Sequence, residues 1–335
     1  MKNDFLAKVM KVQSTSYQTQ RMAKFICKTL KSDGLGYTKD RYGNIYVAKG
    51  DADIYPTMVC HIDTVHEINN NARIVQAGDK MFSIDSTNCH RIGIGGDDKV
   101  GIFITLCCLR QFDNFKAVFF LDEEVGCVGS SQSNFEFFED SSIVLECDRK
   151  GYGDFVTDIS GTKLNDNSLI DDIQDILDNY KYVTTSGGLT DVLEIAENTG
   201  VQVANMSCGY YEPHTENEYI IVSEVEKVKQ MCIEILQRTH DKLYTMDQDS
   251  RVIPYSYDYG SFNSWGYRDT WNKPNRLIST IKPNDNNGNG TAIIPNNYAE
   301  DMEHTEEDGY YKSNEPCVQC QTPNMMYDEY EDAFW

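Results

Sequence analysis

Four apolar runs in this chain stop abruptly at residues that can bind a cation or move a proton. Met58-Val59-Cys60 leads into His61-Ile62-Asp63, and Ile94-Gly95-Gly96 into Asp97-Asp98. Phe119-Phe120-Leu121 leads into Asp122-Glu123-Glu124, and Ile143-Val144-Leu145 into Glu146-Cys147-Asp148. A fifth stretch, Cys208-Gly209-Tyr210-Tyr211-Glu212-Pro213-His214, ends in the same way. Any one of these, taken alone, reads as an edge strand entering a solvated turn. Several together are what a metal site on the carboxyl edge of a parallel sheet requires. A dinuclear hydrolase needs a carboxylate bridging two divalent ions, with about one His and one further carboxylate for each. The chain offers His61 and His214 and at least four strand-end carboxylates for those positions. Adjacent glutamates suit a division of labour: one binds metal while its unligated neighbour takes a proton from water.

The surrounding pattern supplies elements to position these residues. Leu6, Val9 and Met10, then Met22, Phe25, Ile26 and Leu30, recur at helical spacing, with Ser14-Thr15-Ser16 between them as a cap for the second helix. Strands are predicted at 45–48, up to His61, at 118–121, at 143–145, from Phe155 and at 201–206. Residues 66–90 read as a hairpin excursion. Helices are predicted over 99–110, 168–179 and from about 186 to 198. Ser223-Glu224-Val225-Glu226 reads as a capping box opening a final helix. Strands alternating with helices imply an α/β fold: a mainly parallel, mixed sheet sandwiched by helices.

Composition narrows the function. Of 335 residues, 53 are Asp or Glu and 30 are Lys or Arg, so neither nucleic acid nor an anionic membrane surface is expected as a partner. No apolar stretch approaches the length of a membrane span. The eleven cysteines sit mostly inside apolar runs and form no spaced framework, which implies a reducing, cytoplasmic setting. Cys317-Val-Gln-Cys320 stands alone and is not read as a zinc knuckle. Beyond residue 244 the composition changes. Residues 246–335 hold 16 acids against 6 bases, with many Tyr and Asn and no sustained period. The expected division is therefore a catalytic domain over 1–244 and an acidic tail over 245–335, either disordered or docked on the core or a protein partner.

The order of these motifs resembles that of the co-catalytic zinc exopeptidases, the group containing peptidase T, carboxypeptidase G and aminoacylase, with peptidase T the nearest in pattern. The segments that carry it are His61-Ile62-Asp63-Thr64-Val65, Gly96-Asp97-Asp98-Lys99-Val100-Gly101, Asp122-Glu123-Glu124-Val125-Gly126, Asp148, Gly187-Gly188-Leu189-Thr190-Asp191 and His214. The resemblance covers residues 1 to about 240. It implies two divalent ions, zinc first and cobalt or manganese as substitutes. Asp97 would bridge them, His61 and Asp148 would complete one site, and Glu124 and His214 the other. Glu123 would be the general base, Asp63 would orient the His61 ring, and Asp97-Asp98 would be a cis peptide. Asp at position 148 is similar to the aminopeptidase and tripeptidase side of the group, with Glu146 as the alternative ligand.

The chain departs from that pattern in one respect. Only 65 residues lie between Asp148 and His214, too few for the inserted lid, or dimerisation, domain that the resemblance would supply. The expectation is a lidless metallopeptidase, an aminopeptidase or tripeptidase-like enzyme acting on short peptides. The alternatives are an amidohydrolase that removes an N-acyl group or a C-terminal residue, and a non-catalytic protein that keeps the metal scaffold for binding. His66 and His90 are read as surface or packing residues. Arg149-Lys150 is read as a solvated turn or, alternatively, a contact for a substrate carboxylate.

Overall fold

In the computed structural model, residues 4–251 are described. They build two sheets. The strands are β1 (Thr38–Lys39), β2 (Ile45–Lys49), β3 (Tyr55–His61), β4 (Ala72–Ala77), β5 (Lys80–Asp85), β6 (Arg91–Ile92), β7 (Phe115–Phe120), β8 (Ser141–Arg149), β9 (Asp154–Ile159), β10 (Thr162–Lys163), β11 (Val183–Gly187), β12 (Val203–Ser207), β13 (Tyr210–Tyr211) and β14 (Tyr219–Ile221). The helices are α1 (Asp4–Lys11), α2 (Gln20–Ser32), α3 (Gly96–Gln111), α4 (Val128–Ser131), α5 (Asn167–Tyr180), α6 (Asp191–Asn198) and α7 (Val222–Thr239).

The main sheet runs β1-β2-β7-β3-β8-β12-β9-β10, with β11 paired to β9. Its centre, β7-β3-β8-β12, is parallel. The flanking pairs β1-β2, β2-β7 and β12-β9 are antiparallel. This is the mixed α/β sheet that the alternating pattern predicts. The central strands are buried along almost their whole length because both faces are covered. Successive side chains divide between two cores, as a period of two demands. Met58, Cys60, Ala117, Phe119, Ile143 and Leu145 face the core shared with α1, α2, α3, α5 and α7. Val59, Val118, Phe120 and Val144 face the one shared with α6. Parallel pairing sets His61 opposite Phe120 and Val59 opposite Glu146, so the ends of β3, β7 and β8 come out at one edge.

The hairpin excursion is β4-β5. With β6, β13 and β14 it forms the second sheet, which carries the His214 loop between β13 and β14.

Several local expectations give way to tertiary contacts. Ser14-Thr15-Ser16 does not cap α2; Ser16 Oγ instead donates to the carboxylate of Asp63 at 2.7 Å. The capping box at 223–226 is not formed. The helix starts at Val222, and Asp79 of the β4-β5 turn accepts from the Ser223 N–H at 2.9 Å and from its hydroxyl at 2.5 Å. A short strand, β11, occupies 183–187 where a helix start was expected, so α6 begins only at Asp191. Residues just after 244 are packed on the core. Thr245 bridges to Val201, and the buried Arg251 donates to the carbonyls of Lys163, Leu164 and Val201. The rest of the acidic tail, with Cys317 and Cys320, lies outside the described residues. The nine cysteines among the described residues are free thiols, and no helix there is long and apolar enough to cross a membrane.

Candidate active site

Each carboxyl-edge residue reaches the site by a distinct device. His61 is the last residue of β3 and is fully buried. Its Nδ1 lies 3.1 Å from the backbone carbonyl oxygen of Asp63. A carbonyl only accepts, so Nδ1 donates to it, and in the neutral ring the Nε2 lone pair faces the site. Asp97 and Asp98 open α3 with non-helical backbone angles, and the peptide between them is cis. Behind them, Gly96 leaves room for Tyr210 and Ile220, which an added Cβ would meet at 2.8 Å. Asp122 turns the chain after β7 with φ of 58°, held by the Tyr17 N–H at 2.7 Å and the Tyr42 hydroxyl at 2.8 Å. That turn presents Glu123 and Glu124 side by side.

The two oxygens of Asp97 face opposite ways. Oδ1 is 3.2 Å from His61 Nε2, and Oδ2 is 3.3 Å from His214 Nε2. On the first side Asp148 Oδ1 lies 3.6 Å from His61 Nε2. On the second, Glu124 Oε2 lies 3.0 Å from His214 Nε2. Glu123 Oε2 stands 4.0 Å from His61 Nε2. Donor atoms of His61, Glu123 and Asp148 all lie within 4.8 Å of one another, as do those of His61, Asp97 and Glu124. Asp148 is fixed by the Thr190 hydroxyl at 2.9 Å and the Tyr210 hydroxyl at 3.2 Å. Glu146 does not compete with it: its carboxylate is fully buried one step deeper, bonded to Thr190 Oγ1 at 2.6 Å.

The charges are those of a site short of cations. Four carboxylates converge on two imidazoles. Burial alone would depress His61, but the carboxylates of Asp148, Asp63 and Asp97 outweigh it and raise it well above its ordinary value. Hydrogen bonds to Asp97 and Glu124 push His214 up to about 10. Burial, aided by Asp148, Asp191 and Glu124, pushes Glu123 up to about 9. Burial also raises Glu124 and Asp148. Asp97 alone among the four falls, because His214 and His61 overcome its burial. In addition, Glu124 Oε1 is buried with no partner. Imidazole with carboxylate is a donor set for zinc-like divalent ions, and the unpaired oxygen and clustered negative charge fit such ions here. His61, Asp97 and Asp148 would hold one, and Asp97, Glu124 and His214 the other.

Two supports are more extensive than residue types disclosed. Asp63 is closer to Glu123 than to the His61 ring. Its carboxylate accepts from the Glu123 N–H at 3.0 Å and the Glu124 N–H at 3.3 Å, while His61 Nδ1 is 3.4 Å from Oδ1. The His61 ring is oriented mainly by the Asp63 carbonyl. Glu218, which sequence reasoning passed over, is fully buried. It accepts from the Gly95 N–H at 2.6 Å and the Asp97 N–H at 3.1 Å, and pairs with His66 Nε2 at 2.6 Å. It thus holds the backbone that carries Asp97. His66 belongs to this support rather than to a surface loop. Arg91 donates to the carbonyls of Asn217 and Glu218, and Lys99 donates to the Met10 carbonyl rather than to a carboxylate. Asp98 caps α3 through the Gly101 N–H.

A cavity of about 230 Å³ opens on this cluster, lined by Asp97, Glu123, Glu124, Asp148, His214 and neighbours that include Arg149, Lys150 and Leu189. Between Asp148 and His214 the chain builds β9 to β13 with α5 and α6; no separate lid stands between them.

The sheet and its helix layers have the α/β fold seen in solved aminopeptidases and a tripeptidase. Three solved structures make the likeness specific. The aminopeptidase PepT of Bacillus cereus ATCC 10987 superposes with a TM-score of 0.60 at 14% identity, over 70% of this chain and 96% of that one. A tripeptidase of Staphylococcus aureus gives 0.60 at 13%, over 71% and 97%. An aminopeptidase of the archaeon Desulfurococcus kamchatkensis gives 0.55 at 13%, over 72% and 94%. At such identity the likeness is one of fold. No family model matches the sequence, and no curated protein is similar to it.

Proposed function

We propose that the chain is a metal-dependent exopeptidase that removes amino-terminal residues from short peptides. The observation that carries this reading is the Asp97 carboxylate, whose two oxygens face His61 and His214 separately, with Glu123 beside the cluster. Two divalent ions held by the five ligands would supply Lewis acidity toward the scissile carbonyl and acidify water. The protein's own part is positional and protonic. Asp63 fixes the Glu123 backbone, so the Glu123 carboxylate faces the cavity from a set place. As an ionised carboxylate Glu123 can accept a proton from water there and return it to the leaving amine. Asp122, tied to Tyr17 and Tyr42, keeps that turn rigid without entering the cavity.

The test uses the full chain loaded with zinc, cobalt or manganese, incubated with a mixed pool of free, N-acetylated and C-amidated peptides and read by mass spectrometry. Loss of single amino-terminal residues from free peptides supports the reading. Cleavage of acetylated peptides alone would make it a deacylase, and loss of carboxy-terminal residues a carboxypeptidase. Glu123→Gln should lower turnover about 10²–10⁴-fold while retaining both ions; full activity in that variant refutes the mechanism.

A further inference from the structure

The two oxygens of Glu123 have different neighbours. Oε2 lies 4.0 Å from His61 Nε2, on the side of the cluster. Oε1 accepts from the Cys127 thiol at 3.4 Å. Among the described residues, Cys127 is the only side chain that donates to this carboxylate. The turn after β7 brings the thiol there. The N–H groups of Gly126 and Cys127 both donate to the Glu123 carbonyl at 2.8 Å, and Cys127 takes φ of 55°. Glycine adopts that left-handed backbone at least cost, and this chain places a side chain there instead, 1% exposed. Burial, with the carboxylates of Asp191 and Glu123, pushes its thiol well above the ordinary range, so the sulfur keeps the proton it donates.

We propose that Cys127 is the positioning residue for the Glu123 carboxylate: its thiol holds Oε1 and thereby keeps Oε2 turned toward the cluster. The proposal rests on the exopeptidase reading and deepens it by naming what aims the base. Asp63 acts elsewhere, on the Glu123 and Glu124 N–H groups, and so fixes where the side chain begins. The side-chain torsions of a glutamate then remain, and the last of them is broad. A contact at the carboxylate itself removes that freedom. A thiol is a weak donor, so it orients the carboxylate without tying it up as a charged or bidentate partner would. The other oxygen is left to the cavity, which Glu123 lines.

The test has two readouts on the full chain. Infrared difference spectra between the unaltered protein and Cys127→Ser isolate the S–H stretching band of this one thiol. The band should lie below that of a free thiol, and it should move up when the same pair is compared on a Glu123→Ala background, where the acceptor is gone. The second readout is turnover of a peptide that the zinc-loaded protein cleaves. Cys127→Ala should lower kcat about 10–100-fold with KM and bound zinc unchanged, and Cys127→Ser, which keeps a donor, should recover most of the loss. Cys127→Gly suits the left-handed backbone and should match the alanine variant, so it carries the measurement if alanine impairs folding. A band indifferent to Glu123, an unchanged kcat without the thiol, equal loss in the serine and alanine variants, or loss that follows bound zinc overturns the proposal. If the unaltered protein cleaves no peptide, the exopeptidase reading fails. The infrared band alone then decides whether the thiol holds the carboxylate: a shift on removing Glu123 supports it, and no shift overturns it.

Discussion

Removing the metal ions should make this fold lose stability as pH rises from 6 to 8, and the cluster explains why. Without metal, Glu123 holds its proton up to about 9, and Asp191 up to about 7, both chiefly through burial. His61 is raised as well, the carboxylates around it outweighing its burial. In the unfolded chain the carboxyl groups ionise near 4 and the imidazole near 6.5. Across this window the folded state therefore binds more protons than the unfolded one, so unfolding becomes easier as pH rises. Asp63 and Asp97, held low by their hydrogen-bond donors, act in the opposite sense only below about pH 4 and are constant here. Each extra folded-state proton is worth about 1.4 kcal/mol per pH unit. For one net proton, the share Glu123 would carry, two units give about 3 kcal/mol. His214 adds in the same direction, but its ring is half exposed and screened, so it is left out of this figure. The cluster titrates as a set, and the figure belongs to the set rather than to one residue. For a domain of this size, about 3 kcal/mol lowers the melting temperature by about 6–12 °C. Metal binding needs these groups deprotonated, so the stabilisation by zinc should grow over the same interval. The assay is thermal melting by circular dichroism in EDTA and in excess zinc at pH 6 and pH 8. Glu123→Gln, which cannot ionise, should reduce the loss in EDTA. A metal-free melting temperature that is flat or rises with pH, or a zinc shift no larger at pH 8, refutes the reasoning.

Four further outcomes follow from single contacts. His214→Ala should lower bound zinc from two ions per chain to about one by mass-spectrometric metal analysis, because Asp97 Oδ2 and Glu124 lose their shared imidazole. Glu218→Gln cannot satisfy all three of its donors; it should weaken zinc affinity about 10–100-fold in chelator competition and cost about 1–3 kcal/mol in urea unfolding. Gly129→Ala would place a Cβ 2.2 Å from the Leu121 carbonyl oxygen, which is backbone and cannot swing away, so the turn after Glu124 should shift and the melting temperature fall by several degrees. Arg251→Ala should cost about 1–3 kcal/mol and speed proteolytic cutting after residue 244, since three carbonyls each lose the guanidinium as a donor.

The strand ends that converge on the candidate site were legible because the information lies within each run. An apolar strand stopping at His61 or Asp148 reports both its burial and its terminus. The devices that depend on distant contacts were not legible. Ser223 carries every mark of a cap, yet Asp79, 144 residues earlier, takes its N–H and hydroxyl. Ser16 likewise serves Asp63 across 47 residues. Glu218 sits in a short run, Thr215-Glu216-Asn217-Glu218, in which residue type does not separate the fully buried acid from the exposed one beside it. The strand β11 has exposed Thr and Val and earns its place only by pairing with β9, which no local period announces.

The two long-range carboxylates explain how the described residues hold the site together from behind. Glu218 ties the Gly95–Asp97 backbone to His66 and to the second sheet. Asp63 ties the end of β3 to the Glu123-Glu124 turn and to Ser16 ahead of α2. Each is buried, so each would be costly if left with an unmet bond, and each has donors for that reason. Asp97 and Glu123 are thus held from opposite sides, by groups that do not themselves face the cavity. Precision at the cluster then depends on the sheet edge and its loops.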